Sequence, residues 1–152
     1  MRADSKPQKT NDPIPITDFN GTYQYLNNDY PTWVALDGVL YPSASIAYQA
    51  ARTDNPALRQ ALNEVETYEK FKQLAMSIPN PRDWAERKYR VMERLQRDKF
   101  KRNKEIYAKL AETHPKGLIN SFKEGGEVEK YWGVVHGKGN NALGKILMGI
   151  RD

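Results

Sequence analysis

Glu129-Lys130-Tyr131-Trp132-Gly133-Val134-Val135-His136-Gly137-Lys138-Gly139-Asn140-Asn141-Ala142-Leu143-Gly144-Lys145-Ile146-Leu147-Met148-Gly149-Ile150-Arg151 places an aromatic pair, a glycine-rich polar loop and an apolar helix in unbroken succession. Glycines at 133, 137 and 139 allow positive φ and close backbone approach, and the exposed amides of such a loop hold anionic oxygens well. Asn141, at the start of the last helix, is expected to be its N-cap, satisfying free amides and facing a phosphate beyond them. The stretch predicts a pocket wall anchored by a helix.

Upstream, Gly125-Gly126 reads as the opening of the final loop, with Glu124, Glu127 and Glu129 in one flexible stretch, and Leu118-Ile119-Asn120-Ser121-Phe122 as a short buried element. Ile106, Tyr107 and Leu110 continue a helix to Glu112 or Thr113, which His114-Pro115-Lys116-Gly117 ends. The strongest helix spans residues 82–99, where Pro81 suits the first turn, Asp83 complements the dipole, and Trp84, Tyr89, Val91, Met92 and Leu95 recur near the 3.6-residue period. Shorter helices are expected over 68–76 and 44–52, the latter stopped by Thr53-Asp54-Asn55-Pro56 ahead of another helix. Asp37-Gly38 between Trp33-Val34-Ala35-Leu36 and Val39-Leu40-Tyr41 is a favoured hairpin turn. Residues 1–15, polar and carrying Pro7, Pro13 and Pro15, read as a flexible lead-in. The expectation is one domain over 16–152, α+β in class: a compact, mainly helical unit with a small antiparallel hairpin or sheet.

The 152 residues suffice for a single core without staples. The absence of cysteine removes disulfides, thiolate zinc sites and cysteine nucleophiles together. Two histidines without His-x-x-x-His or EF-hand spacing point away from a metal, and no cofactor is expected. His136-Gly137-Lys138-Gly139 lacks the Walker spacing, which disfavours kinases and triphosphatases. No secretory h-region opens the chain and no run of about 18 apolar residues occurs, so an intracellular, cytoplasmic protein without a membrane partner is expected. The net charge of +5 is compatible with a polyanionic ligand.

Five spaced blocks, quoted in order, resemble the NADAR (YbiA-like) family over about residues 16–152. Tyr25-Leu26-Asn27-Asn28-Asp29-Tyr30-Pro31 is similar to its Leu-Ser-Asn-Phe-Tyr-Pro segment, and Asp37-Gly38-Val39-Leu40-Tyr41-Pro42-Ser43 to its Asp-Gly-x-x-Tyr-Pro-Ser turn. Ala47-Tyr48-Gln49-Ala50-Ala51-Arg52 resembles Ala-Tyr-Gln-Ala-Ala-Lys; Asp83-Trp84, Val91-Met92 and Lys99-Phe100 follow the family's Trp, Val-Met and Lys-Phe; and Trp132-Gly133 with Asn141, Leu143, Gly144, Leu147, Met148 and Arg151 completes the tail. The resemblance implies an N-glycosidase that breaks a ribose C1′–N bond, either releasing ADP-ribose from guanine in nucleic acid or nucleotides or hydrolysing ribosylated riboflavin-pathway intermediates. ADP-ribosylated guanine is then the substrate partner and ADP-ribose the product. The family's Tyr-Pro-Ser-x-Glu-His glutamate is Ser45 here and its histidine Ile46, and the lysine closing that helix is Arg52. With those replacements a catalytically inactive ADP-ribose-binding module is the alternative.

Cleavage of a ribosyl C–N bond passes through an oxocarbenium-like state and needs negative charge near C1′, a proton for the departing base and an acceptor for the new bond. Glu129, beside Tyr131 and Trp132, is the acid/base candidate. Lys99 is the candidate covalent catalyst, an amine able to attack C1′ and form a Schiff base, with Phe100 placed to bury its stem. Against that stands the run Arg94, Arg97, Lys99, Lys101, Arg102 and Lys104, which by itself reads as a solvated helix face. Trp84, Tyr131 and Trp132 are candidates to stack on a base, Trp84 also fitting a core position. Asn28 and Gln49 can read ribose or base edges. Ser45, Arg52, Gly133, His136, Gly137, Lys138, Gly139 and Asn141 complete the candidate binding set.

Overall fold

The computed structural model describes residues 13–152, so most of the lead-in expected over 1–15 lies outside the described residues. A 3-10 helix, Gly21–Leu26, is followed by β1 (Val34–Leu36) and β2 (Val39–Tyr41), which pair antiparallel in the register Val34 to Tyr41. Asp37 and Gly38 both take positive φ, the geometry a two-residue turn between right-twisted strands requires. Then come α1 (Ala44–Ala50), α2 (Pro56–Asn63) and α3 (Tyr68–Ser77), each with a side-chain N-cap, from Ser43, Asn55 and Thr67. The long α4 (Trp84–Arg102) and α5 (Lys104–Glu112) follow, then β3 (Ser121–Phe122), α6 (Glu127–Trp132), β4 (Val134–Val135) and α7 (Ala142–Arg151). The class is α+β, mainly helical with a small antiparallel two-stranded sheet; a second pair, β3 with β4, is parallel.

Several boundaries differ from the sequence reading. The main helix begins at Trp84 rather than 82 and runs to Arg102, with Asp83 at its N-cap position pairing with Arg87 at 3.1 Å instead of capping amides. It does not continue into the next helix, because Asn103 leaves helical geometry at φ −120, ψ 86, its side chain bonding Lys99 O at 2.7 Å. The stretch around Glu127 to Glu129, expected as a flexible loop, is the first turn of α6, where Glu129 accepts from Gly126 N at 2.7 Å. That local bond satisfies an amide which the helix start would otherwise leave free.

Two apolar clusters form the core, and α4 divides them. Met92 and Phe100 face Leu26, Ile106, Leu110, Leu118, Trp132, Leu143 and Leu147. Leu95 faces Val34, Tyr41, Ala47, Leu62 and Ile78. Tyr48 packs against both clusters and so marks the seam between them. Ile16 is buried and bridges to Leu118.

Candidate functional site

The seam around Tyr48 gathers aromatic rings from three elements. Its ring lies 5.2 Å from Trp84 of α4 and 5.6 Å from Trp132 of α6, and Trp132 meets Tyr131 edge-on at 4.8 Å. Trp84 and Trp132 are buried as core rings, yet both line a cavity of about 360 Å³ with Tyr48, Gln49, Arg52 and Lys88. The volume and the mixed lining are those of a small-molecule site. The Lys88 ammonium stands 3.8 Å over the Tyr131 ring. Burial pushes the Tyr48 hydroxyl up to about 12, so it remains a neutral hydrogen-bonding group.

Arg52 borders this cavity, but most of its donors are already engaged. Nε donates to Asn80 Oδ1 at 3.0 Å, Nη1 to Gln49 Oε1 at 2.6 Å and to Ala75 O at 3.0 Å, and Nη2 to Ile78 O. Of the five N–H groups of a guanidinium, one is left for a ligand. Burial lowers its pKa, and the Tyr48 hydroxyl group opposes that shift. Arg52 ties α1 to the end of α3 and contributes one donor to the cavity.

One turn earlier on α1, a second group of polar side chains meets. Ser45 Oγ donates to Asp29 Oδ1 at 2.5 Å, and Ser45 N to Asn28 O at 3.0 Å. Asn28 Oδ1 accepts from Gln96 Nε2 at 2.6 Å, while Lys99 Nζ donates to Asn27 O at 3.0 Å. Lys99 has no exposed surface, and desolvation pushes its pKa down to about 7, partly opposed by the Asp29 carboxylate. The basic run is thus not a uniform solvated face: Lys99 points inward between Tyr30 at 5.7 Å and Phe100 at 5.2 Å from the ring centroids. Gln96 is fully buried, and its Oε1 is the one buried side-chain oxygen or nitrogen among the described residues without a partner. Such an orphan acceptor is costly and rare in a folded chain. Asp29 and Ser45 also line a neighbouring cavity of about 260 Å³ with Thr67 and Phe71 of α3. Phe71 there and Ala75 in the aromatic cavity are one turn apart on α3, as Ser45 and Gln49 are on α1, so the two cavities are neighbours along the same helix pair.

Gln96, Asp29, Tyr48 and Lys88 were not among the residues singled out from the sequence. The signal for Gln96 was present: with Lys99 it interrupts the apolar face made by Met92, Leu95 and Phe100, and polar groups on a buried face need a reason.

The glycine-rich tail is organised differently. Gly133 is buried because β3 passes across it; a Cβ there would stand 1.9 Å from Asn120 O. A Cβ at Gly139 would stand 2.3 Å from Gly133 O. These two glycines let backbone meet backbone, not backbone meet ligand. His136, Gly137, Lys138 and Gly139 form an exposed turn in which Val135 N and Lys138 N exchange bonds with Lys138 O and Val135 O at 2.8 and 3.1 Å. Asn140 N and Asn141 N donate to Lys130 O and Gly133 O. Asn141 does not cap α7 with its side chain: it takes the left-handed conformation at φ 51, accepts from Asn120 N at 2.9 Å and donates to Leu118 O at 3.0 Å. Glu129 caps its own helix and does not line the Trp132 cavity, and neither do Gly133, His136, Gly137, Lys138, Gly139 or Asn141. The structure therefore brings Gln49, Arg52, Trp84 and Trp132 together, with Tyr131 behind Trp132 and Asn28, Ser45 and Lys99 alongside, and leaves the glycine turn outside.

Among the described residues no group of three or more His, Asp or Glu is placed to hold a metal, and no helix is long and apolar enough to cross a membrane.

The NADAR domain model matches residues 9–152, and the chain belongs to that family. It is 29% identical over 129 residues to the protein named N-glycosidase YbiA from Escherichia coli, covering 82% of this chain and 78% of that one. It is 28% identical over 143 residues to the riboflavin biosynthesis protein VVA0006 of Vibrio vulnificus, covering 92% of this chain but only 38% of that protein. The NMR structure of Escherichia coli YbiA superposes with a TM-score of 0.77 at 27% identity, over 91% of this chain and 82% of the other.

Proposed function

We propose that this NADAR-family chain is an N-glycosidase that releases ADP-ribose from guanine in a nucleotide or nucleic acid. The observation that carries the reading is the seam on α1, where a cavity walled by Tyr48, Trp84 and Trp132 adjoins the Asp29, Ser45, Gln96 and Lys99 cluster. The rings offer flat surfaces to a purine, Lys88 and the free donor of Arg52 offer charge to a pyrophosphate, and the Asn28 amide, held from behind by the buried Gln96, offers a partner to ribose hydroxyls.

The carboxylate role falls to Asp29, since Glu129 is engaged at its helix start. As the C1′–N bond breaks, its electron pair leaves on the base, which takes a proton from solvent water, and the Asp29 carboxylate stabilises the positive charge at C1′. Water adds through oxygen at C1′ and gives its proton to Asp29. In the covalent variant the neutral amine of Lys99 attacks C1′ instead, the sugar opens to a Schiff base, and water then hydrolyses it. Because Lys99 has no exposed surface, that variant requires an opening past Asn27 and Tyr30.

The relative named for riboflavin biosynthesis favours a second reading, hydrolysis of a ribosylated pyrimidine phosphate of that pathway. Incubation with ADP-ribosylated guanosine and with the ribosylaminopyrimidine phosphate, followed by chromatography for ADP-ribose and ribose 5-phosphate, separates the two. Release from neither substrate, with retained binding of ADP-ribose, would make the chain a binding module. Borohydride trapping of an adduct that is lost in Lys99→Ala identifies the covalent route; turnover without a trapped adduct assigns direct attack by water.

A further inference from the structure

The outward face of α4 carries Arg87, Arg90, Arg94, Arg97 and Lys101 at spacings of three and four residues. At about 100° and 1.5 Å per residue they fall within about 80° of arc and along about 21 Å of axis. Arg87 is paired with Asp83 and Arg97 with Glu93, but Arg90 and Arg94 make no ion pair among the described residues. Of the other two acids of α4, Glu86 stands one turn before Arg90 without an ion pair among the described residues, and Asp98 is held by Arg102 at 2.9 Å.

Beneath this row the floor is apolar. Leu36 of β1, with Val91 and Leu95, lies in a groove of about 480 Å³ rimmed by the four arginines and by Glu93, whose carboxylate is the one paired with Arg97. Arg97 also lines a second groove, of about 620 Å³, that continues past Phe100 and Lys101 to Lys104 and Tyr107 of α5. The shared residue joins the two, and Tyr107 presents a ring that is 41% exposed. A single small anion would use one or two of these cations; the length of the row and its ring-bearing floor suit a polymer of alternating phosphates and flat bases.

We infer that this face is a docking surface for single-stranded nucleic acid, its phosphates along the arginine rim and its bases against Leu36, Val91 and Tyr107. The row starts at Arg87, one turn after Trp84 and next to Lys88, both of which line the aromatic cavity, so a docked strand passes the proposed site. The inference rests on the glycosidase reading only for the identity of the modified base. Its test uses unmodified strand and reads binding without turnover, so either can fail alone.

The experiment is fluorescence anisotropy of a labelled, unmodified single-stranded oligonucleotide with the full chain over a salt series. Arg90→Ala/Arg94→Ala is expected to weaken binding at least tenfold near 0.1 M salt and to flatten the log affinity against log salt slope by about 1.4, or about 0.7 for each phosphate no longer neutralised. Tyr107→Ala is expected to weaken binding several-fold with the slope unchanged. Lys109→Ala and Lys145→Ala, on other exposed surfaces, are expected to leave both quantities as they were. Absence of salt-dependent binding, equal weakening by the two lysine variants, tighter binding of duplex, or full displacement by anionic lipid vesicles would each overturn the inference. Circular dichroism of each variant confirms that these exposed positions leave the fold intact.

Discussion

The α1–α4 seam and the turn from Gly133 to Asn141 are both dense in residues suited to anions and bases, and they differ in how their hydrogen-bonding capacity is used. In the turn, the amides of Val135, Lys138, Asn140 and Asn141 have backbone partners, both ends of the Asn141 amide are engaged, and the exposed Gly137 and Gly139 face solvent. At the seam, the buried Gln96 Oε1 has no partner and the Lys99 amine is desolvated with one carbonyl for company. A staple satisfies its groups within the fold, whereas a site leaves some for a ligand. Residue type and spacing do not distinguish the two.

That contrast is sharpest where the reaction is read. Asp29→Asn, at the exposed end of the seam, is expected to lower kcat about 100-fold or more with little change in the urea midpoint, the range in which a positioned acid/base acts. Unchanged kcat would remove Asp29 from the chemistry. Gly133→Ala should do the reverse in kind: the new methyl meets Asn120 O, and the fold should lose about 3 kcal/mol, seen as a lower urea midpoint. If that variant were stable but unable to bind ADP-ribose, the turn would be a binding loop after all.

Asn141→Ala removes one acceptor and one donor from partly buried backbone and should cost about 1–3 kcal/mol in the same assay. The pH dependence of stability isolates Lys99. Its folded-state pKa, pushed down from 10.5 to about 7, means the unfolded chain binds more protons between those values. Stability therefore rises with pH from about 7 to about 10.5 and is flat in this contribution below 7. Lys99→Met should abolish the rise, measured as urea midpoints across that window, and activity along the covalent route should itself rise through about pH 7 as the amine loses its proton. The smallest effect is expected at Glu129→Gln: one amide-to-carboxylate bond becomes an amide-to-amide bond, worth roughly 0.5 kcal/mol, with kcat within about twofold of the parent. A large fall in kcat would return the acid/base role to Glu129.

Much of the fold was legible because it rests on local chemistry. The Asp37-Gly38 turn needs two residues that tolerate positive φ, and α1 to α3 each begin at a Ser, Asn or Thr whose side chain satisfies free amides. These are decisions made within four residues. Of the misread stretches, the start of α6 rests on a local bond from Gly126 N to Glu129, whereas in the glycine loop a distant partner decides. Glycines at 133 and 139 read as ligand contacts because glycine marks any close approach; that the approaching atoms are Asn120 O and Gly133 O depends on β3 and β4 meeting.

The same division holds at the site. The sequence by itself determined the family, the hairpin, the long amphipathic helix and the presence of aromatic rings, amides and a lysine suited to ribosyl chemistry, because composition and short-range periodicity carry that information. Only the tertiary structure decided which of them share a cavity. It buried Lys99 and Gln96, joined Asp29 to Ser45 across sixteen residues of chain, and closed the glycine turn on itself. Desolvation and hydrogen-bond saturation are properties of a packed neighbourhood, and no residue carries them alone.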